Sequence, residues 1–168
     1  MFDLINGIPI HPLVVHAVVV LVPLAALGTI AIAVRPRWRR HYGPLVVAFA
    51  ALAAILTPVA TSSGEALEKH VGDPGKHAEL GDQLIWFILP LLVLAVALVW
   101  MDRRGTPSDR PSSSTALKVV AALAVVAALA TSVQVYRVGD SGARAAWGDQ
   151  VQPAGSSSGS GSSSGDGD

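Results

Sequence analysis

Apolar residues in this chain come in four long, nearly unbroken runs, at residues 13–34, 44–61, 83–101 and 115–135. Each run is close to the ~20 residues a helix needs to cross a ~30 Å hydrocarbon layer. None alternates in the two-residue rhythm of a half-buried strand, and alanine and leucine dominate throughout. The pattern predicts an all-α fold with no sheet, an integral membrane four-helix bundle, because a helix satisfies every backbone group within itself where no water is present.

The polar stretches between the runs refine this outline. After the second run comes "TSSGEALEKHVGDPGKHAELGDQ", in which Thr57, Thr61, Gly64 and Glu68 follow a 4-3-4 spacing and share one helical face. The helices are therefore expected to outrun the membrane on this side. Gly72 reads as a helix stop, Asp73 as a cap and Pro74 as a first-turn residue, so the third helix is expected to begin near Pro74. Pro23, Pro58 and Pro90 fall inside spans and predict kinks. Ala124 and Ala128 let a neighbouring helix approach the fourth span closely. From residue 153 the chain reads "PAGSSSGSGSSSGDGD", a flexible coil with nothing to bury. Residues 1–152 are thus expected to form the spanning domain and residues 153–168 a tail.

Composition agrees. Of 168 residues, 51% are hydrophobic and 14% charged, against about 25% charged in soluble domains. A formal net charge of +0 gives no means of neutralising phosphates, so nucleic acid is not an expected partner. The absence of cysteine excludes disulfides, thiolate metal sites, iron–sulfur clusters and cysteine nucleophiles. The N-terminal "MFDLINGIPIHP" lacks the basic flank of a cleaved signal peptide, so the first run reads as a retained anchor.

Charge also predicts orientation. Arg35, Arg37, Arg39 and Arg40 fall in a first loop, "RPRWRRHYG", and Arg103, Arg104, Arg110 and Lys118 in and around the third. Lys69, Lys76, Arg137 and Arg144 lie on the other side. This asymmetry places both arginine-rich loops in the cytoplasm and both termini outside, in a multi-pass protein of the plasma membrane. Trp38, Tyr42 and Trp100 then belong to the inner interface, Trp86 and Tyr136 to the outer.

The candidate chemistry lies in histidines. The first span opens "IPIHPLVVHAVVVLVP", with two histidines in a segment entering lipid. His41 stands among arginines, while His11, His16, His70 and His77 all fall at the outer end. An ionisable group among lipid-level valines is costly, so His16 is expected to face a partner or cavity. His77 shares a helical face with Leu80, Gly81, Leu84 and Ile88 and is expected to point into the bundle. His70 sits at the end of the second helix. Imidazoles gathered at one end of a bundle suit three chemistries. They ligate haem b in pairs, they bind zinc or copper beside Glu65, Glu68, Glu79 or Asp82, or they relay protons. The inner half of the bundle offers almost nothing to continue a proton path, and Thr131 and Gln134 read as packing groups.

"HPLVVH" at the first span, a paired-histidine outer loop and the closing "YRVGDSGARAAWG" resemble the domain of unknown function 2231 family over roughly residues 5–150. That family comprises bacterial membrane proteins without an assigned activity, so the resemblance implies fold and location. Its members typically follow the second histidine with Phe-Pro, where this chain has Ala17 and Val18. They often carry a histidine in the closing motif, where this chain has Asp140.

Two functional classes follow. One is a redox or metal-binding membrane module with His11, His16, His70 and His77 as ligands. The other is a non-catalytic membrane subunit or assembly factor whose polar end packs against a partner protein or another copy. With no nucleophile–base pair or paired acid evident, an enzymatic activity is not expected.

Overall fold

A computed structural model describes residues 4–5, 8–71, 75–104 and 115–147. Among the described residues four helices make the fold: α1 (Ile10–Val34), α2 (Pro36–Val71), α3 (Lys76–Arg104) and α4 (Thr115–Trp147). All four are long and apolar enough to cross a membrane. A two-residue antiparallel ladder, β1 (Leu4–Ile5) with β2 (Ile8–Pro9), precedes α1, pairing Leu4 with Pro9 and Ile5 with Ile8. The tail from residue 153 lies outside the described residues, as do Gly72, Asp73 and Pro74.

The helices form a ring in which α1 packs on α2 and α4, and α3 on α4 and α2, leaving α1 and α3 across the diagonal. α1 and α3 begin at one end, where α2 and α4 finish; this is the histidine end. Small residues set the spacing, since Ala25, Ala26, Ala50, Ala53, Ala95, Ala124 and Ala128 are all buried. Where there is no hydrophobic drive between helices in lipid, such close contact supplies the attraction. Two glycines bring backbones closer still. A Cβ at Gly28 would lie 2.7 Å from Val46, and one at Gly43 would lie 2.6 Å from Val99. Large apolar side chains such as Leu27, Ile55, Val93, Val126 and Trp86 face outward, as a lipid-facing surface requires.

The "RPRWRRHYG" segment departs from the expected loop. Arg35 alone separates α1 from α2, and the basic segment from Pro36 onward is helical. Pro36 at the first helical position explains this, because its fixed φ and missing N–H suit a helix start. Pro44 consequently lies inside α2 together with Pro58. The helical register turns Arg39 inward, where it is buried at 4% exposure. Its Nε donates to the Ile32 carbonyl at 2.8 Å and Nη2 to the Ala33 carbonyl at 2.9 Å, so it satisfies orphan carbonyls at the end of α1. Nη1 stands 3.7 Å from Asp102 of α3, which Arg40 also approaches at 3.8 Å. One arginine of α2 thereby holds the ends of α1 and α3. Around it, Arg35 lies over the Trp38 ring and Arg104 over the Trp100 ring.

At the opposite end α3 starts from Gly75, whose φ of 58° is a left-handed conformation natural to glycine. The Gly75 carbonyl accepts from the Ala78 N–H at 3.1 Å. The helix thus begins within two residues of the proline where the sequence places its start.

Candidate functional site

His11 stands in the first turn of α1 and leans on α2. Its Nδ1 is 3.0 Å from the Ala60 carbonyl oxygen and 3.1 Å from Ser63 Oγ. Ser63 Oγ itself donates to the same carbonyl at 2.9 Å. A carbonyl only accepts, so Nδ1 carries the ring proton, and in a neutral imidazole Nε2 is left as a lone-pair donor. The next residue is Gly64, and a Cβ there would come within 3.0 Å of His11 Cε1. The imidazole edge fills the space a side chain would take.

His77, in the first turn of α3, leans on α4 in the same way. Nδ1 is 3.1 Å from the Val138 carbonyl oxygen and 3.4 Å from Ser141 Oγ, while Ser141 Oγ donates to Val138 at 2.9 Å. A Cβ at Gly142 would meet His77 Cε1 at 2.9 Å and Nδ1 at 3.0 Å. Both rings are therefore held by one recipe: a carbonyl fixing the proton on Nδ1, a serine bound to that carbonyl, and a glycine giving room. An N–H···O=C bond of this kind is how proteins orient imidazole ligands and raise their basicity.

The other expected site residues are placed differently. His16 is exposed on the outer face of α1, with Nδ1 against the Pro12 carbonyl of its own helix. The ring therefore faces out of the bundle and not into a cavity between the helices. Residues five apart lie ~140° around an α-helix, so once His11 turns to α2 its neighbour must turn away. Glu65, Glu79 and Asp82 are exposed, and the side chains of His70 and Glu68 lie outside the description. Among the described residues, no group of three histidines, aspartates or glutamates comes together to hold a metal. His41 is exposed at the arginine end, its ring edge-on to Tyr42 at 4.7 Å.

Below His77 a line of polar contacts continues down the α3–α4 seam. Gln134, 1% exposed, donates from Nε2 to the Leu80 carbonyl at 3.1 Å. Thr131 Oγ1 lies 3.1 Å from the Phe87 carbonyl and 2.7 Å from the carbonyl of Ala127 in its own helix. Gln134 Oε1 is buried without a partner, as is Thr29 Oγ1. Asp140 forms an i,i+4 ion pair with Arg144 at 3.0 Å.

Ser63-Gly64 and Ser141-Gly142 were not singled out as site residues from the sequence. The signal was there, in a Ser-Gly pair near the end of each even-numbered helix matching a histidine at the start of each odd one.

Searches of the curated proteins and of the solved structures each returned no match. The family comparison is positive over nearly the whole bundle. With four membrane-capable helices and the paired histidine mounts inside the matched region, residues 7–155, the chain belongs to the DUF2231 family of predicted membrane proteins.

Proposed function

We propose that the histidine end is a paired-imidazole site, and that the protein is a membrane-anchored redox module holding haem b between His11 and His77. The observation that supports this is the duplicated mount, which fixes the proton of both rings on Nδ1 and leaves both Nε2 atoms free to ligate. The donor set favours haem over a bare ion. Haem iron can be held by a pair of protein ligands, whereas zinc sites use three or four, and among the described residues no group of three histidines, aspartates or glutamates comes together. A haem so held supplies one-electron transfer. The chain's own part is to orient the two imidazoles, to exclude water with the apolar layer of Val18, Leu84 and Ile88, and to anchor the site at the membrane surface. In the orientation set by the arginine-rich end, that surface is the extracytoplasmic one.

The absorption spectrum of protein purified in detergent after expression with added haem tests this. A Soret band that sharpens on reduction is expected, lost in His11→Ala and in His77→Ala and retained in His16→Ala and His41→Ala. A colourless preparation without stoichiometric zinc or copper would sink the proposal.

A second reading rests on the same bonds. Each imidazole ties an odd helix to the even helix of its own hairpin, so the pair also works as two structural bolts in a non-catalytic membrane subunit. In that case the alanine variants lose stability and no cofactor is found.

A further inference from the structure

We infer that the chain is an internal duplication of one helical hairpin, α1–α2 repeated as α3–α4, and that its approximate two-fold axis makes His11 and His77 two equivalent halves of a single site that grips one ligand. The second clause rests on the paired-imidazole reading; the first does not.

His77 follows His11 by 66 positions. Ala26 is buried on α1 without a buried counterpart, since Leu92 is only partly so; the other buried residues there are Val18, Val22, Ala25, Thr29, Ile32 and Ala33. The residues 66 positions on, Leu84, Ile88, Leu91, Ala95, Leu98 and Val99, are buried on α3. Any bundle helix buries a stripe of period near 3.6, so a match between stripes is weak by itself. Nothing in the period, however, requires the histidine to stand seven residues ahead of the stripe on both helices. The even helices agree independently. Ser141-Gly142 follows Ser63-Gly64 by 78 positions, and the same step carries buried Val46, Ala50 and Ala53 onto buried Ala124, Ala128 and Thr131, and buried Thr57 and Ala60 onto the partly buried Val135 and Val138.

The two hairpins run in the same direction, since α1 and α3 begin at the same end. They are therefore related by rotation about an axis along the bundle, the parallel kind of membrane repeat. The ring arrangement, with α1 diagonal to α3, is what that rotation produces. The halves have diverged in places. Val15 corresponds to Gly81 and Leu56 to Gln134, while Pro23 corresponds to Leu89, one position before Pro90. The mount itself is kept in both.

Two equivalent imidazoles on opposite sides of an axis suit one ligand lying on it. Titration of the full chain in detergent with haem b is the test. Saturation at one haem per chain is expected, with the six-coordinate low-spin spectrum of two nitrogen ligands. His11→Ala and His77→Ala should each weaken binding about tenfold or more, a change near one decade of Kd, and to similar degrees. Two haems per chain, or one histidine substitution without effect, would overturn the shared site. Absence of any uptake would overturn the paired-imidazole reading instead, and the duplication is then judged on the unloaded protein. There Ser63→Ala and Ser141→Ala should lower Tm with the same sign and similar size. Clearly unequal shifts would overturn the equivalence of the two hairpins.

Discussion

Gly142 and His77 share one volume: a Cβ at position 142 would lie 2.9 Å from Cε1 of the ring. Glycine stands near the end of α4 despite costing helix stability, because the neighbouring helix needs that space for its imidazole.

Alanine at this position separates the two effects. In an open helix Gly→Ala stabilises by up to about 1 kcal/mol, whereas overpacking a close contact costs about 1–3 kcal/mol. Gly142→Ala is expected to be destabilising, and Gly64→Ala, with its slightly longer 3.0 Å approach, less so. Gly81→Ala and Gly139→Ala meet nothing within 4 Å and should be stabilising. Thermal unfolding in one detergent compares the four; a rise in Tm for Gly142→Ala would mean that the ring moves aside freely.

Gln134 is buried with one of its two amide functions unpartnered. Removing a buried polar group together with its unmet desolvation cost is close to neutral when the shape is kept. Gln134→Leu, which installs the side chain that Leu56 holds in the other hairpin, should change stability by less than about 1 kcal/mol. Gln134→Ala leaves a void and should cost about 2 kcal/mol or more. Equal losses for the two would show that the bond to Leu80 outweighs packing.

Arg39 fastens three helices at the arginine end. Its loss frees the Ile32 and Ala33 carbonyls and leaves Asp102 with the more distant, exposed Arg40. Arg39→Met is expected to cost about 3 kcal/mol, the scale for breaking one side of a buried ion pair. Arg39→Lys should recover only part of this, because an ammonium cannot reproduce the planar fork that reaches both carbonyls. Full rescue by lysine in a denaturation series would count against the capping role.

Orientation is testable because the chain has no cysteine. With the arginine-rich end inside, Glu79→Cys should react with an impermeant maleimide on intact cells and Arg104→Cys only after lysis. The reverse pattern would put the imidazole pair on the cytoplasmic side.

Helix number and type were legible in the sequence because lipid allows so few solutions: a run of twenty apolar residues has to satisfy its backbone internally, and a helix does so without reference to any partner. The same holds for the start of α3 near Pro74 and for the inward direction of His77, both properties of one helix. What escaped were relations between helices. "RPRWRRHYG" reads as a loop until Pro36 is seen to start α2 and to carry Arg39 round to the last carbonyls of α1. His16 reads as a histidine facing a partner or cavity, and only the lean of His11 on α2 shows that its neighbour, about 140° round the helix, lies on the outer face. Taken singly, Ser63-Gly64 and Ser141-Gly142 carry no distinct signal until each is found beside an imidazole. Position along one helix follows from local chemistry, but which face meets which neighbour is decided by four helices packing at once, and the candidate site is made of those contacts.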